Sequence, residues 1–164
     1  MRNRKGMKDI LKLGNPLLYK KCEPVVKAEL PLLNEWVGDL ANAMTEIRDT
    51  YGFGRGIAAP QLGIMKRLVY IDLGTPRIIV NPEIIYMSDE IFELWDDCMS
   101  FPNLLVKVKR HKHLTLRYRD ENWKIKEWNA SNDASELVQH EYDHLDGILC
   151  TMRAIDEKSF KWRT

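Results

Sequence analysis

Two histidines four residues apart, His140 and His144, with a glutamate directly after the first, constrain this chain more than any other feature. At about 3.6 residues per turn, four positions make roughly one full turn, so both imidazoles project from one face of a helix. Glu141 lies about 100° further round, near enough to reach a water on a bound metal without being a ligand. This H-E-x-x-H pattern belongs to hydrolytic zinc sites, where the glutamate is the general base. The plain alternative is a surface helix that carries two histidines by chance. With four histidines in the whole chain, that coincidence is the weaker account. The fold must then bring a third ligand to this helix from elsewhere.

The 164 residues suit one domain large enough to bury a real core, expected to span residues 1–164 with flexible ends at 1–8 and 157–164. Twenty-five basic against 24 acidic residues leave a net charge of +1, so no charge excess points to nucleic acid or an anionic membrane. No apolar run approaches the roughly 20 residues of a membrane span. The start, MRNRKGMKDI, has basic residues but no apolar stretch behind them, unlike a secretory signal. Cys22, Cys98 and Cys150 cannot all pair, and a scattered odd number suits a reducing compartment. A cytoplasmic protein is expected.

After an N-terminal arm with Pro16, Pro24 and Pro31, the spacing of Leu33, Trp36, Val37, Leu40, Met44 and Ile47 predicts an amphipathic helix over 32–50, ended by Gly52. Strand-like runs follow at 67–72, 77–85, 104–110 and 113–120, with a further candidate at 123–128. A helix carrying the two histidines comes last, with Asn132 or Asp133 as its cap and Gly147 as its close. This order predicts an α+β fold, with mainly antiparallel short sheets around a C-terminal metal-binding helix.

Several residues compete for the third ligand. Cys150 stands where one protease class, H-E-x-x-H-x-x-G-x-x-H, has its third histidine, and a thiolate is a legitimate zinc or iron ligand. Only 14 residues follow it, too few for the methionine turn of that class. Glu157, the candidate for a downstream glutamate ligand, is nearer than the corresponding class places it. Cys98, in WDDCMSFPN, is the better candidate, because two flanking aspartates disfavour a free thiolate and a metal would offset them.

GRGIAAPQ (54–61), DDCMS (96–100) and QHEYDHLDG (139–147), in that order, resemble the three signature motifs of peptide deformylases. ILKLGNPLLYKKCEPV resembles the family's N-terminal arm, and RIIVNPEII its strand ahead of the cysteine motif, so the likeness covers about residues 9–152. The resemblance implies one divalent metal held by Cys98, His140 and His144, commonly Fe²⁺, with Zn²⁺ or Ni²⁺ as substitutes. It implies hydroxide attack on the formyl carbon of an N-formyl-methionyl peptide, with Glu141 taking the proton and passing it to the leaving amine. The Gln61 side chain and the backbone N–H of Met99 would be the oxyanion donors. Gly54, Gly56 and Ile57 would line the approach of the substrate, an N-formylated peptide that includes nascent chains at the ribosome.

The chain also departs from the family pattern. The middle motif, E-G-C-L-S in the family, reads Asp96-Asp97-Cys98-Met99-Ser100 here. Asp96 would pair with a downstream arginine, Arg110 being the candidate, while Asp97 puts a charge where the substrate backbone would pass. Leu137, Glu136 and Asp133 precede His140 by three, four and seven residues, on the helix face that the family keeps largely apolar for the methionine side chain. Either the two acids pair with Lys107, Lys109 or Arg110, or Asp133 caps the helix, or the site prefers another substrate. Two rival functions follow. One is a catalytically weak relative that binds metal, peptide or another small amide; the other is an endopeptidase that uses Cys150. His111 and His113 read as solvated residues of one strand pattern, and Trp162 as part of the flexible tail.

Overall fold

A computed structural model describes residues 2–164 of the chain; Met1, part of the N-terminal stretch expected to be flexible, lies outside the described residues. Helix α1, Leu30–Tyr51, buries Leu33, Leu40, Ala43, Met44 and Ile47 at the predicted spacing. It ends where Gly52 takes a left-handed conformation at φ 76° and donates back to Arg48.

Eight strands follow: β1 (Gly56–Ala58), β2 (Leu68–Asp72), β3 (Pro76–Met87), β4 (Ile91–Asp96), β5 (Leu104–His111), β6 (His113–Arg119), β7 (Ile125–Ser131) and β8 (Phe160–Trp162). Five form one antiparallel sheet in the order β1-β2-β3-β6-β7, and three form a second in the order β4-β5-β8. The strand β4 had no counterpart among the predicted runs. It alternates half-buried Phe92 and Leu94 with exposed Ile91, Glu93 and Trp95, so a single face with few apolar residues carried the signal. His111 ends β5 and His113 begins β6, in different sheets, rather than sharing one strand.

Helix α2, Asp133–Leu145, packs between the two sheets. Its Leu137, Val138 and Leu145 join Ala58, Val69, Ile71, Ile79, Leu114 and Leu116 in the core against the five-stranded sheet. On the other side lies a smaller core of Cys98, Phe101, Val106, Val108 and Cys150. Ten of the helix's residues are buried, including Glu136, Gln139, His140, Glu141, Asp143 and His144. The cap is Asn132, which makes no side-chain capping bond, so Asp133 is the first helical residue and not the cap.

Both ends of the described chain make defined contacts. Arg2 pairs with Glu35 and Asp39, the Lys5 amide donates to Asp39 Oδ1 at 2.9 Å, and the Met7 amide to Glu46 Oε2 at 2.6 Å. In the tail, β8 pairs with Leu104–Val106. Phe160 and Trp162 remain exposed, so backbone pairing and not apolar burial holds this strand. The arm before α1 reaches all three motifs: Leu11 donates to the Gln61 carbonyl, Leu13 to that of Ser100 and Cys22 to that of Leu145.

Candidate active site

The three motifs meet at the middle of α2. The first leaves α1 through Phe53 and Gly54, runs into β1 and ends in a single 3-10 turn, Ala59–Leu62, that buries Gln61. Two glycines here have separate reasons. Gly54 sits at φ 132°, and a Cβ at Gly56 would lie 3.1 Å from Glu141 Oε2 and 3.2 Å from its Cγ. A side chain on β1 here would therefore crowd the glutamate, which would have to give by a few tenths of an ångström. The second motif follows the end of β4, where the chain turns and points Cys98 into the interior.

Cys98, His140 and His144 each offer a ligand atom within 4.8 Å of the others, and all three are buried. Cys98 Sγ is 3.5 Å from His144 Nε2. Gln61 accepts the Ala58 amide at Oε1, which turns its Nε2 toward Ser100 Oγ at 3.1 Å and Cys98 Sγ at 3.6 Å. Cys150 groups with His140 and Asp96 but not with both histidines. Burial pushes its thiol up to about 12, as suits a packing residue.

Behind the histidines runs a chain of buried ion pairs. His140 Nδ1 is 2.8 Å from Asp96 Oδ2, which leaves Nε2 as the ring nitrogen that could take a metal. Arg110 donates to Asp96 at 3.1 Å, as the motif comparison anticipated, and to Asp143 at 2.8 Å. Asp143 also takes two bonds from Arg153, at 2.5 and 2.9 Å. Burial opposes a charge on Asp96, but His140 and Arg110 outweigh it and hold the carboxyl below its usual value. Burial likewise opposes a charge on His140, yet Asp96 holds it well above the ordinary histidine value.

Glu141 is 2 % exposed, its Oε1 has no hydrogen-bond partner among the described residues, and burial pushes its carboxyl up to about 7. A small cleft opens in front of it. Gly54, Gly56, Gln61, Asp97, Cys98, Met99, Glu136, Leu137, His140 and Glu141 line it, together with Phe53, Arg55 and Asp96. Ile57 and Asp133, expected at the substrate, do not. Ile57 packs into the core under α1, and Asp133 lies exposed at the start of α2.

The acidic face of α2 is matched differently from expectation. Glu136 pairs with Arg55 at 2.5 Å, not with Lys107, Lys109 or Arg110. Arg110 is engaged by Asp96 and Asp143, and Lys107 by Glu93. Asp97 pairs at 2.7 Å with Arg163, whose guanidinium also lies 4.2 Å from the centre of the Phe53 ring. The tail thus offsets the charge that replaces the family's glycine.

A model of the family described as polypeptide deformylase matches residues 7–160. The chain belongs to this family. The peptide deformylase of Dictyoglomus thermophilum is 36% identical over 152 residues, covering 92% of this chain and 95% of that one. That of Pseudothermotoga lettingae is 37% identical over 143 residues, covering 87% and 80%. Among solved structures, the Thermotoga maritima peptide deformylase superposes with a TM-score of 0.84 at 29% identity, over 94% of this chain and all of that one. The Synechococcus elongatus peptide deformylase, in complex with actinonin, gives 0.85 at 27% identity over 96% and 86%. The deformylase fold, α+β with antiparallel sheets and a C-terminal helix, is therefore that of this chain. As a deformylase it is a metal-dependent hydrolase that removes the formyl group from N-terminal methionine.

The donor set suits the family's requirement for a metal. One cysteine sulfur and two imidazoles converge, one imidazole is oriented by a carboxylate, and a buried carboxylate oxygen without a partner among the described residues faces the same space. Arg55, Arg153 and Arg163 were missed at the sequence level. Arg55 was in view within GRGIAAPQ, but nothing in its spacing announced a partner 81 residues away.

Proposed function

We propose that Cys98, His140 and His144 hold one divalent ion, Fe²⁺ in the native enzyme with Zn²⁺ or Ni²⁺ as substitutes, and that Glu141 is the proton carrier in deformylation. The softness of a thiolate–imidazole set favours these ions over Mg²⁺ or Ca²⁺. When bound, the ion supplies a Lewis acid that makes a water acidic near neutral pH. The chain's own residues do the rest. Glu141 takes a proton from the attacking water and returns it to the amine as the formyl C–N bond breaks. Gln61 Nε2, fixed by its bond from Ala58, and the Met99 N–H donate to the oxygen as it gains charge. Asp96 keeps the His140 ring in its ligating orientation. The substrates are formylated peptides, nascent chains at the ribosome among them, in the cytoplasm; among the described residues no helix is long and apolar enough to cross a membrane.

The buried, unpartnered Glu141 carboxylate beside the three ligands carries this reading. Formate release from a formyl-methionyl tripeptide, with Fe²⁺-loaded protein prepared without oxygen, tests it. Glu141→Ala is expected to lose about 10²–10⁴-fold in kcat while retaining one metal per chain. Full activity in that variant would refute the assignment.

A further inference from the structure

A peptide whose formyl carbon reaches these ligands would lay its first side chain in the cavity that Cys98 and His140 line. The walls there, apart from the chemistry-bearing groups, are Phe53, Arg55, Asp97, Met99, Leu137 and Glu136. Three of these six are charged: Asp97 is matched by Arg163 at 2.7 Å, and Arg55 Nη2 is bound to Glu136 Oε1 at 2.5 Å. The pair is lopsided. Arg55 keeps 40% of its side chain exposed, whereas that of Glu136 is 4% exposed, and Glu136 Oε2 is buried with no partner among the described residues. A buried carboxylate oxygen without a donor is costly, and a group that donates to it is selected for. Methionine has no such group. A second cation would be forced against the Arg55 guanidinium, whereas a neutral donor would not.

We propose that the Arg55–Glu136 pair is the specificity determinant of this deformylase, and that it extends the substrate range to N-formyl peptides whose first side chain is a neutral hydrogen-bond donor such as a primary amide. The proposal rests on the deformylase reading above and names a substrate class for the same site. An apolar pocket discriminates weakly between side chains of similar size, but a site that hydrogen-bonds one substrate separates it sharply from an analogue lacking the donor.

The experiment reads one ratio: kcat/KM for formyl-glutaminyl-Ala-Ser over that for formyl-methionyl-Ala-Ser, in metal-loaded protein. Arg55→Val combined with Glu136→Leu removes both charges together, so no carboxylate is stranded. Glu136→Met is similar in length and removes the acceptor altogether, leaving Arg55, whose side chain is 40% exposed, to solvent. Each is expected to lower the ratio at least about tenfold, the worth of a hydrogen bond to a charged group. Either variant suffices if the other does not fold. A smaller fall, or a rise, overturns the proposal while leaving normal formyl-methionyl turnover as evidence for the deformylase reading. No formate from either peptide with metal-loaded wild type overturns that reading, and the proposal with it.

Discussion

Replacing Arg110 by methionine removes the one cation that joins two buried carboxylates. The arginine is 3% exposed, donates to Asp96 at 3.1 Å and to Asp143 at 2.8 Å, and stands behind His140. Stranding a buried charge costs about 3–5 kcal/mol. Asp143 would still have Arg153, and Asp96 would still have the His140 ring, so the lower end applies, about 3 kcal/mol. For a chain of this size that is a fall of roughly 6–12 °C in Tm. Arg153→Met is the control. Its side chain is 44% exposed, and Asp143 keeps Arg110 when it goes, so its loss is about 1 kcal/mol or less. Both variants would be melted as chelated protein, so that metal binding adds nothing to stability. Equal shifts for the two, or a fall of under about 3 °C for Arg110→Met, would show that the network contributes little and refute the argument from burial.

Two further outcomes separate the roles of individual residues. Cys98→Ala is expected to lose stoichiometric metal after dialysis, whereas Cys150→Ser keeps it, as measured by elemental analysis; the reverse would move the third ligand to Cys150. Gly56→Ala puts a Cβ 3.1 Å from Glu141 Oε2 and 3.2 Å from Ile71 Cγ1. It is expected to destabilise the fold by about 1–3 kcal/mol and, by displacing the proton carrier, to lower kcat up to about 10²-fold. Wild-type kcat in that variant would mean that β1 yields rather than the glutamate.

Helix α1 was legible because six apolar residues recur at helical spacing and a glycine closes the run. β2, β3, β5 and β6 were legible as β-branched runs, and the strands came out within a residue or two of expectation. β1 and β8 were not, since three residues carry no period of their own and both exist only by pairing, with β2 and β5. The tail looked flexible for the same reason. Beside that pairing it carries the Arg163–Asp97 ion pair, between residues 66 apart.

The metal helix divides the two kinds of information most clearly. The shared face of His140 and His144, and the position of Glu141 beside them, follow from backbone periodicity alone, so the residues themselves determine that part of the chemistry. Their spacing equally announced Asp133, Glu136 and Leu137 as neighbours on that helix. Whether an acid there is exposed, paired or stranded does not follow from any period. It depends on what the rest of the fold sets opposite it: Arg55 for Glu136, Arg110 and Arg153 for Asp143, solvent for Asp133. The cost of a buried charge is set by its partners, and partners drawn from across the chain meet only when the tertiary structure is complete.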